Sequence, residues 1–261
     1  MKLILKIRYN GKNFAGYQFQ PDKRTVQGSL TEAFSSALGF EVNVTGCSRT
    51  DAGVHALGFV CAVEPKNKSD EIKIPVGKFH RAAEKYLPCD IGIAGEAEVG
   101  DDFHPRYSVK SKTYKYRMYD SPARNPFLTG LSWQLKKPLS DDGIEKMNRC
   151  GQKLVGIHDF TSFMASGSRI TDAAREIYSL SVSRTSADSI ELTVSADGFL
   201  YNMVRIITGT LVDSAWGLYC EGDMEKILAS HDRSKAGKTA PPDGLYLAEA
   251  EYPFPINWVL I

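Results

Sequence analysis

The sequence predicts an α+β protein built from two β-α-β-β-α-β halves of the ferredoxin or RRM-like kind, and three observations carry that reading. Apolar residues alternate in short runs, they recur at helical spacing in longer ones, and the two kinds of run follow the same order twice along the 261 residues. No sequence identity links the two copies. Two such sheets place the expected site in a central cleft between them.

The first half opens at residues 2–9, where Leu3, Leu5, Ile7 and Tyr9 share one face and Lys2, Lys6 and Arg8 the other, the alternation of a half-buried strand. From Thr25 the period changes. Val26, Leu30, Ala33, Phe34, Ala37 and Leu38 fall on one helical face, and Gly39 is the stop. Strands over 41–47 and 58–63 bracket a loop. A second helix is predicted from Pro75, a good first helical residue, through Phe79, Ala83, Tyr86 and Leu87, and a strand over 90–99 closes the half. In the second half, 109–119 reads as a long strand, 140–155 as a helix with Ile144, Met147 and Leu154 inward, and 176–184 with 189–196 as a hairpin. A helix over 199–216 carries Leu200, Met203, Val204, Ile207 and Leu211, followed by a short helix over 223–229 and a last strand over 245–252. Segments 100–106, 120–130 and 156–171 are polar or rich in Gly, Ser and Pro and are expected to be loops. The halves are expected to divide at residues 1–105 and 106–261.

Composition excludes several classes. The chain is 43% hydrophobic and 24% charged, with no apolar run near the ~20 residues of a membrane span, and Met1-Lys2-Leu3-Ile4-Leu5-Lys6 alternates rather than forming a leader's apolar block. The expected compartment is the cytoplasm. Five cysteines, odd in number, spread out and never in a C-x-x-C pair, argue against a disulfide framework and a zinc site, and the five histidines show no paired spacing. No protein-bound metal and no cofactor is expected, since no glycine-rich phosphate cradle occurs either. A net charge of +1 lacks the basic excess of a strong phosphate binder, so any nucleic-acid surface must be local.

The densest chemistry lies in Gly46-Cys47-Ser48-Arg49-Thr50-Asp51-Ala52-Gly53-Val54-His55-Ala56. A glycine-bounded loop between strands can hold Arg49, Asp51 and His55 on one rim. An aspartate in such a turn has two roles open to it, a local hydrogen bond to its own loop amides or catalysis. The run lacks the last glycine of G-x-S-x-G, which disfavours a serine nucleophile, while a Cys47/His55 pair stays open beside the commoner fate of a buried cysteine.

Arg49-Thr50-Asp51-Ala52-Gly53-Val54-His55-Ala56 resembles the signature of the tRNA pseudouridine synthase A (TruA) family. Further matches follow in order along nearly the whole chain. They begin with Tyr9-Asn10-Gly11-Lys12-Asn13-Phe14-Ala15-Gly16-Tyr17-Gln18 and Arg24-Thr25-Val26-Gln27-Gly28, then Asp102-Phe103-His104-Pro105-Arg106 and Lys112-Thr113-Tyr114-Lys115-Tyr116. His158-Asp159-Phe160-Thr161-Ser162-Phe163, Phe199-Leu200-Tyr201-Asn202-Met203-Val204-Arg205 and Pro242-Asp243-Gly244-Leu245-Tyr246-Leu247 complete the set. The resemblance implies the pseudouridine synthase fold, its two halves forming a mixed sheet. It also implies an isomerase that breaks the N1 glycosidic bond of uridine, turns the base and rejoins it through C5. The default target is uridines 38, 39 and 40 of the tRNA anticodon stem-loop, and the implied assembly is a homodimer binding tRNA.

The resemblance makes Asp51 the essential catalytic residue. Whether it attacks sugar or base, or only moves a proton, stays open. Arg205 is implied as its charge partner, a role suited to a guanidinium, which stays charged and binds bidentately; a surface arginine on a helix is the plain alternative. Tyr114 is implied to stack on the target base, a contact worth about 1–3 kcal/mol, against the alternative of a core tyrosine. Leu245 resembles the residue closing the other side of the base, although a leucine opening a strand is usually core. Arg49 is implied to take part in displacing the base, whose extrusion costs a few kcal/mol. His55 reads as structural, orienting the loop, and is counted with the substrate-binding residues. Lys112 belongs with Lys110, Lys115 and Arg117, and with Arg233, Lys235 and Lys238, as candidate phosphate contacts. Asn10, Tyr17 and Ser48 depart from the family's aspartate, tryptophan and glycine, away from the catalytic set. A non-catalytic RNA-binding module, or a synthase of the same family acting at other RNA positions, are the competing readings. An aspartate-dependent hydrolase is weak, for want of a second placed carboxylate.

Overall fold

A computed structural model describes residues 1–167 and 170–261. Ser168 and Arg169, part of the loop expected over 156–171, lie outside the described residues. The chain forms two compact units, Met1–Lys110 with Leu247–Ile261, and Ser111–Tyr246.

The first unit runs β1 (Lys2–Tyr9), α1 (Val26–Leu38), β2 (Val42–Gly46), β3 (His55–Pro65), α2 (Phe79–Ala83) and β4 (Ile91–Val99). β1 is central. It pairs antiparallel with β3 on one side and β4 on the other, and β2 adds to β3. Leu3, Leu5, Ile7 and Tyr9 are buried as the alternation requires, but so is Ile4, which makes a second small core with Ala62, Ala97 and Phe103. Tyr252, Ile256 and Trp258 of the C-terminal segment cover it. The strand is therefore buried on both faces at that point.

α1 has the ends its sequence announces. Thr25 accepts the Gly28 N–H with its side chain, and Gly39 closes the helix in the left-handed region at φ 79°. The helix expected over 75–87 contracts to α2, barely one turn. Gly77 breaks the run at φ +83°, and the N–H groups of Gly77, Phe79 and His80 all point at the carboxylate of Glu96 on β4, at 2.7, 3.1 and 2.7 Å. Glu96 is fully buried and also meets His80 Nδ1 at 2.7 Å. Its charge is balanced by four donors from one turn, so the sheet, rather than helical periodicity, shapes this segment.

The second unit runs β5 (Ser111–Tyr119), β6 (Trp133–Gln134), α3 (Asp141–Gln152), β7 (Gly156–Asp159), β8 (Ala174–Arg184), β9 (Ser189–Ala196), α4 (Met203–Ala215) and α5 (Glu221–Ser230). β5, β9, β8 and β7 lie side by side in that order, antiparallel, and β6 joins β5 in parallel, so the sheet is mixed. β7 falls where a loop is expected. Its four residues begin with Gly156 at φ +105°, and Ile157 is 72% exposed, so no inward apolar pattern marks it. α3 and α4 cover the inner face with Met147, Cys150, Ile207 and Leu211, all fully buried.

The chain leaves the second unit within β10 (Leu245–Glu251) and ends with β11 (Val259–Leu260) against β4. The sequence reading counts this last strand with the second half; its residues from Leu247 onward belong to the first unit.

Asp120, at the end of β5, ties three parts of the second unit together. Its carboxylate accepts Arg184 Nη1 and Nη2 at 3.1 and 2.9 Å and the Leu139 N–H at 2.8 Å. Burial alone would raise its pKa, but the Arg184 and Leu139 hydrogen bonds together outweigh it and hold the carboxyl below the usual range. A carboxyl depressed in the native state stabilises above its unfolded pKa, near 4, and that contribution is lost as the pH falls through the native value. Asp120→Asn is expected to lower the unfolding free energy by about 2 kcal/mol at pH 7. The gap to wild type should close below about pH 4, which denaturant titrations across pH will read.

Candidate active site

β2 ends at Gly46, and Cys47 continues its ladder for one residue, donating its N–H to Val60 O at 2.8 Å. The chain then turns through residues 48–54 before β3 begins at His55, three residues earlier than expected. Gly58 is the first residue of the strand expected from the sequence. In the structure it is the place where β3 meets the Ala248 carbonyl too closely for any Cβ.

The turn is closed by Val54 N–H to Asp51 O at 3.1 Å, with Gly53 at φ +79°. It sits on the segment that follows β1. Tyr17 donates its N–H to Thr50 O at 3.0 Å, Gly53 donates to Phe14 O at 3.3 Å, and the Tyr9 hydroxyl meets Thr50 Oγ1 at 2.8 Å. Gly11 donates its N–H to His55 Nδ1 at 3.0 Å, so the neutral ring carries its proton on Nε2. A Cβ on Gly11 would lie inside the Val54 carbonyl, and one on Gly16, itself at φ +108°, would come 2.9 Å from Thr50 O. Two motifs separated by some forty residues in sequence are thus one body. Nothing in residues 9–17 alone announces that role; their glycine spacing is the one available signal.

The turn sorts its polar side chains by depth. Arg49 is exposed, Asp51 half-buried at the rim, and His55 is 1% exposed behind them. The three do not share one rim as the sequence allows, and His55 faces the supporting segment. The Cys47 thiol is fully buried and accepts the Val60 N–H, and His55 Nδ1 is already taken by Gly11, so no thiol–imidazole pair forms through that nitrogen.

In the second unit, Tyr114 and Tyr116 lie on the buried face of β5. Tyr114 is 7% exposed and meets Phe199 edge-on at 5.0 Å. Tyr116 donates its hydroxyl to Pro241 O at 2.7 Å, and burial pushes its phenol well up despite the opposing pull of Arg205's charge. Arg205, in the first turn of α4, is half-buried and tightly held. Its Nε donates to Ala240 O at 2.7 Å and its Nη1 to Asn202 Oδ1 at 2.6 Å, while the Ala240 N–H returns to Arg205 O at 3.0 Å. Asn202 reaches it from the left-handed region at φ 59°. Gly209, one turn further on, has no room for a Cβ against the Lys238 carbonyl, which lets residues 236–240 lie along the helix. Leu245 is buried at the start of β10.

The cations on β5 divide between its faces. Lys112 is half-buried and has the parity of Tyr114, whereas Lys115 and Arg117 have the opposite parity and share Glu191 on β9 at 2.7 and 3.4 Å. Arg117 also covers the Tyr246 ring at 4.4 Å. Near the end of the unit, Arg233 binds Ala236 O and Thr239 Oγ1. Lys238 meets Asp213 at 3.5 Å, with Trp133 and Trp216 at 5.3 and 5.2 Å. Four of the cations that look like one basic patch in the sequence brace the unit itself.

A family profile described as tRNA pseudouridine synthase matches residues 151–253. The tRNA pseudouridine synthase A of Ruminiclostridium cellulolyticum is 42% identical over 251 residues, 96% of this chain and 99% of that one. That of Thermoanaerobacter sp. strain X514 is 42% identical over 250 residues, again 96% and 99%. That of Halalkalibacterium halodurans is 40% identical over 247 residues, 94% and 90%. These matches define a pseudouridine synthase, an isomerase. Within that class the chain belongs to the tRNA pseudouridine synthase A family.

Gly11 is where the two motifs approach most closely, and Gly11→Ala forces backbone apart at Val54. We expect it to cost about 2–3 kcal/mol of stability. Hydrogen exchange in the variant should quicken the amides of residues 50–55 and leave those of the β8–β9 hairpin, in the other unit, as in wild type.

Proposed function

We propose that this chain converts uridine to pseudouridine in tRNA, with Asp51 as its essential catalytic residue and the anticodon stem-loop, uridines 38, 39 and 40, as its target. The observation that carries the reading is the near full-length match to tRNA pseudouridine synthase A relatives, together with Arg49-Thr50-Asp51-Ala52-Gly53-Val54-His55-Ala56 on a turn that leaves Asp51 at its rim. The reaction is redox-neutral. The N1–C1′ bond breaks, a C5–C1′ bond forms, the hydrogen at C5 leaves as a proton, and N1 takes up a proton in its place.

The residues have the chemistry the roles need. An aspartate in a base-filled, water-poor site loses its charge unless a cation compensates. Arg205 is suited to supply it, because two hydrogen bonds fix its plane through Nε and Nη1. Tyr114, held edge-on by Phe199, offers a ring face for a base, and Leu245 supplies apolar contact. Exposed Arg49 is suited to replacing a base drawn out of the stem, Lys112 to meeting a phosphate, and His55 to holding the turn. Among the described residues no helix is long and apolar enough to cross a membrane. We place the reaction in the cytoplasm and the working form as a homodimer. In that form two nearly neutral chains can pool their remaining surface cations into one basic channel.

Purified protein incubated with tRNA transcripts tritiated at uridine C5 should release tritium, and mapping the product should place pseudouridine at 38–40. Asp51→Ala should lower release by at least about 10³-fold while tRNA binding persists, because phosphate contacts survive. Silence of the wild type on every tRNA would overturn the activity, and full release by Asp51→Ala would overturn the site.

A further inference from the structure

We infer that Tyr9 is a positioning residue for the reaction: its buried hydroxyl, tied to Thr50 Oγ1 at 2.8 Å, fixes the peptide that carries Asp51. The inference rests on Asp51 being the catalytic carboxylate. Thr50 directly precedes Asp51 and is 6% exposed, and Tyr9, the last residue of β1, is 4% exposed.

Thr50 is held at two atoms from the two ends of one segment. Its carbonyl takes the Tyr17 N–H at 3.0 Å and its hydroxyl meets Tyr9. Beyond Asp51, Gly53 N–H to Phe14 O and Gly11 N–H to His55 Nδ1 hold the other limb of the turn. Two of these four ties run from backbone to backbone and set the path of the chain whatever the side chains are, and a third joins the Gly11 N–H to the His55 ring. The Tyr9–Thr50 tie is the one between two side chains, and it acts one residue from the reacting carboxylate.

The ring of Tyr9 already packs without its hydroxyl, 5.7 Å from Phe59 and tilted by 59°. Phenylalanine would keep that packing. What the hydroxyl adds is a restraint on the torsions at Thr50, and through them on where the Asp51 side chain starts. Aspartate has a short side chain with few rotatable bonds, so an error in its backbone passes almost undiminished to its oxygens. A misplacement of about 1 Å at a reacting group can cost about 100-fold in rate.

The experiment compares Tyr9→Phe, Thr50→Val, the double variant, Thr50→Ser and Asp51→Asn for tritium release, tRNA binding and thermal unfolding. Tyr9→Phe and Thr50→Val are each expected to lower kcat about 10- to 100-fold, with KM and tRNA affinity within about twofold of wild type. The double variant should be no slower than the slower single one, because both remove the same bond, and Thr50→Ser, which keeps the hydroxyl, should stay within about threefold of wild type. Wild-type kcat in Tyr9→Phe, losses that multiply in the double variant, or a fall in tRNA affinity matching the fall in rate would overturn the inference. Asp51→Asn separates the two failures. If it stays active, the reading of Asp51 has failed; if it is inactive while Tyr9→Phe is unimpaired, only the positioning role has.

Discussion

One close approach of backbone to backbone governs the first unit: residues 9–17 lie against residues 50–55 with no space for side chains at Gly11 or Gly16. Hydrogen bonds alone would not require this. Amides at ordinary sheet spacing can satisfy one another with any residues between them. The approach at Gly11 and Gly16 is closer than that, and it turns a mobile-looking loop into the edge of a packed body. The rest follows from it. Tyr9 and Thr50 can bury their hydroxyls because they find each other there, and His55 can be buried because Gly11 supplies its donor. Tyr17, also buried, stacks on Phe59 at 4.5 Å while its hydroxyl has no partner among the described residues. Burial pushes that phenol well above its ordinary range, so it stays neutral. At this departure from the family's tryptophan the ring packs well and the oxygen adds nothing visible.

The second unit solves a similar problem by a different device. A guanidinium needs fixing in its plane as well as its position, and a helix alone fixes neither, since an arginine side chain has many rotamers. Here the 236–240 segment lies along α4 at Gly209 and brings the Ala240 carbonyl to Nε, while Asn202 adopts a left-handed backbone just ahead of the helix and brings its amide oxygen to Nη1. Both partners come from chain that packs on the helix. The arginine read in the sequence as either a surface cation or a working one is therefore neither loose nor buried out of reach.

Most of the fold was legible because most elements announce themselves by period. β1, α1, α3 and the β8–β9 hairpin each carry a clear apolar period, and the structure returns them within a few residues. The misses have physical causes. α2 looks like a longer helix because Phe79, Ala83, Tyr86 and Leu87 sit at helical spacing, yet Glu96 captures the N–H groups at its start, and no pattern local to residues 75–87 could reveal a carboxylate from β4. β6 and β7 are too short to show a period. The expected strand opened at Gly58, whereas β3 begins at His55 and passes through Gly58, whose missing Cβ is required by Ala248. Among the proposed functional residues, types were legible and support was not. Asp51, Tyr114 and Arg205 stand out through a family signature, whereas Phe199, Asn202, Ala240 and the carbonyl of Phe14 act through positions that only the folded chain defines.

The division between legible reactive groups and hidden support has a chemical logic. A reacting side chain must be of one type, because only a carboxylate, a guanidinium or a phenol has the needed charge or proton, so it leaves a mark in the sequence. Its support is mostly main chain, and main-chain donors and acceptors are the same in every residue. What sequence can record of such support is the side chain that must be missing. Gly11, Gly16, Gly58 and Gly209 are marks of that kind, each set where another strand of backbone comes too close for a Cβ. A glycine of this sort near a reactive residue is therefore evidence about geometry, and the short reach of aspartate makes that geometry matter most at Asp51 in the role proposed for it.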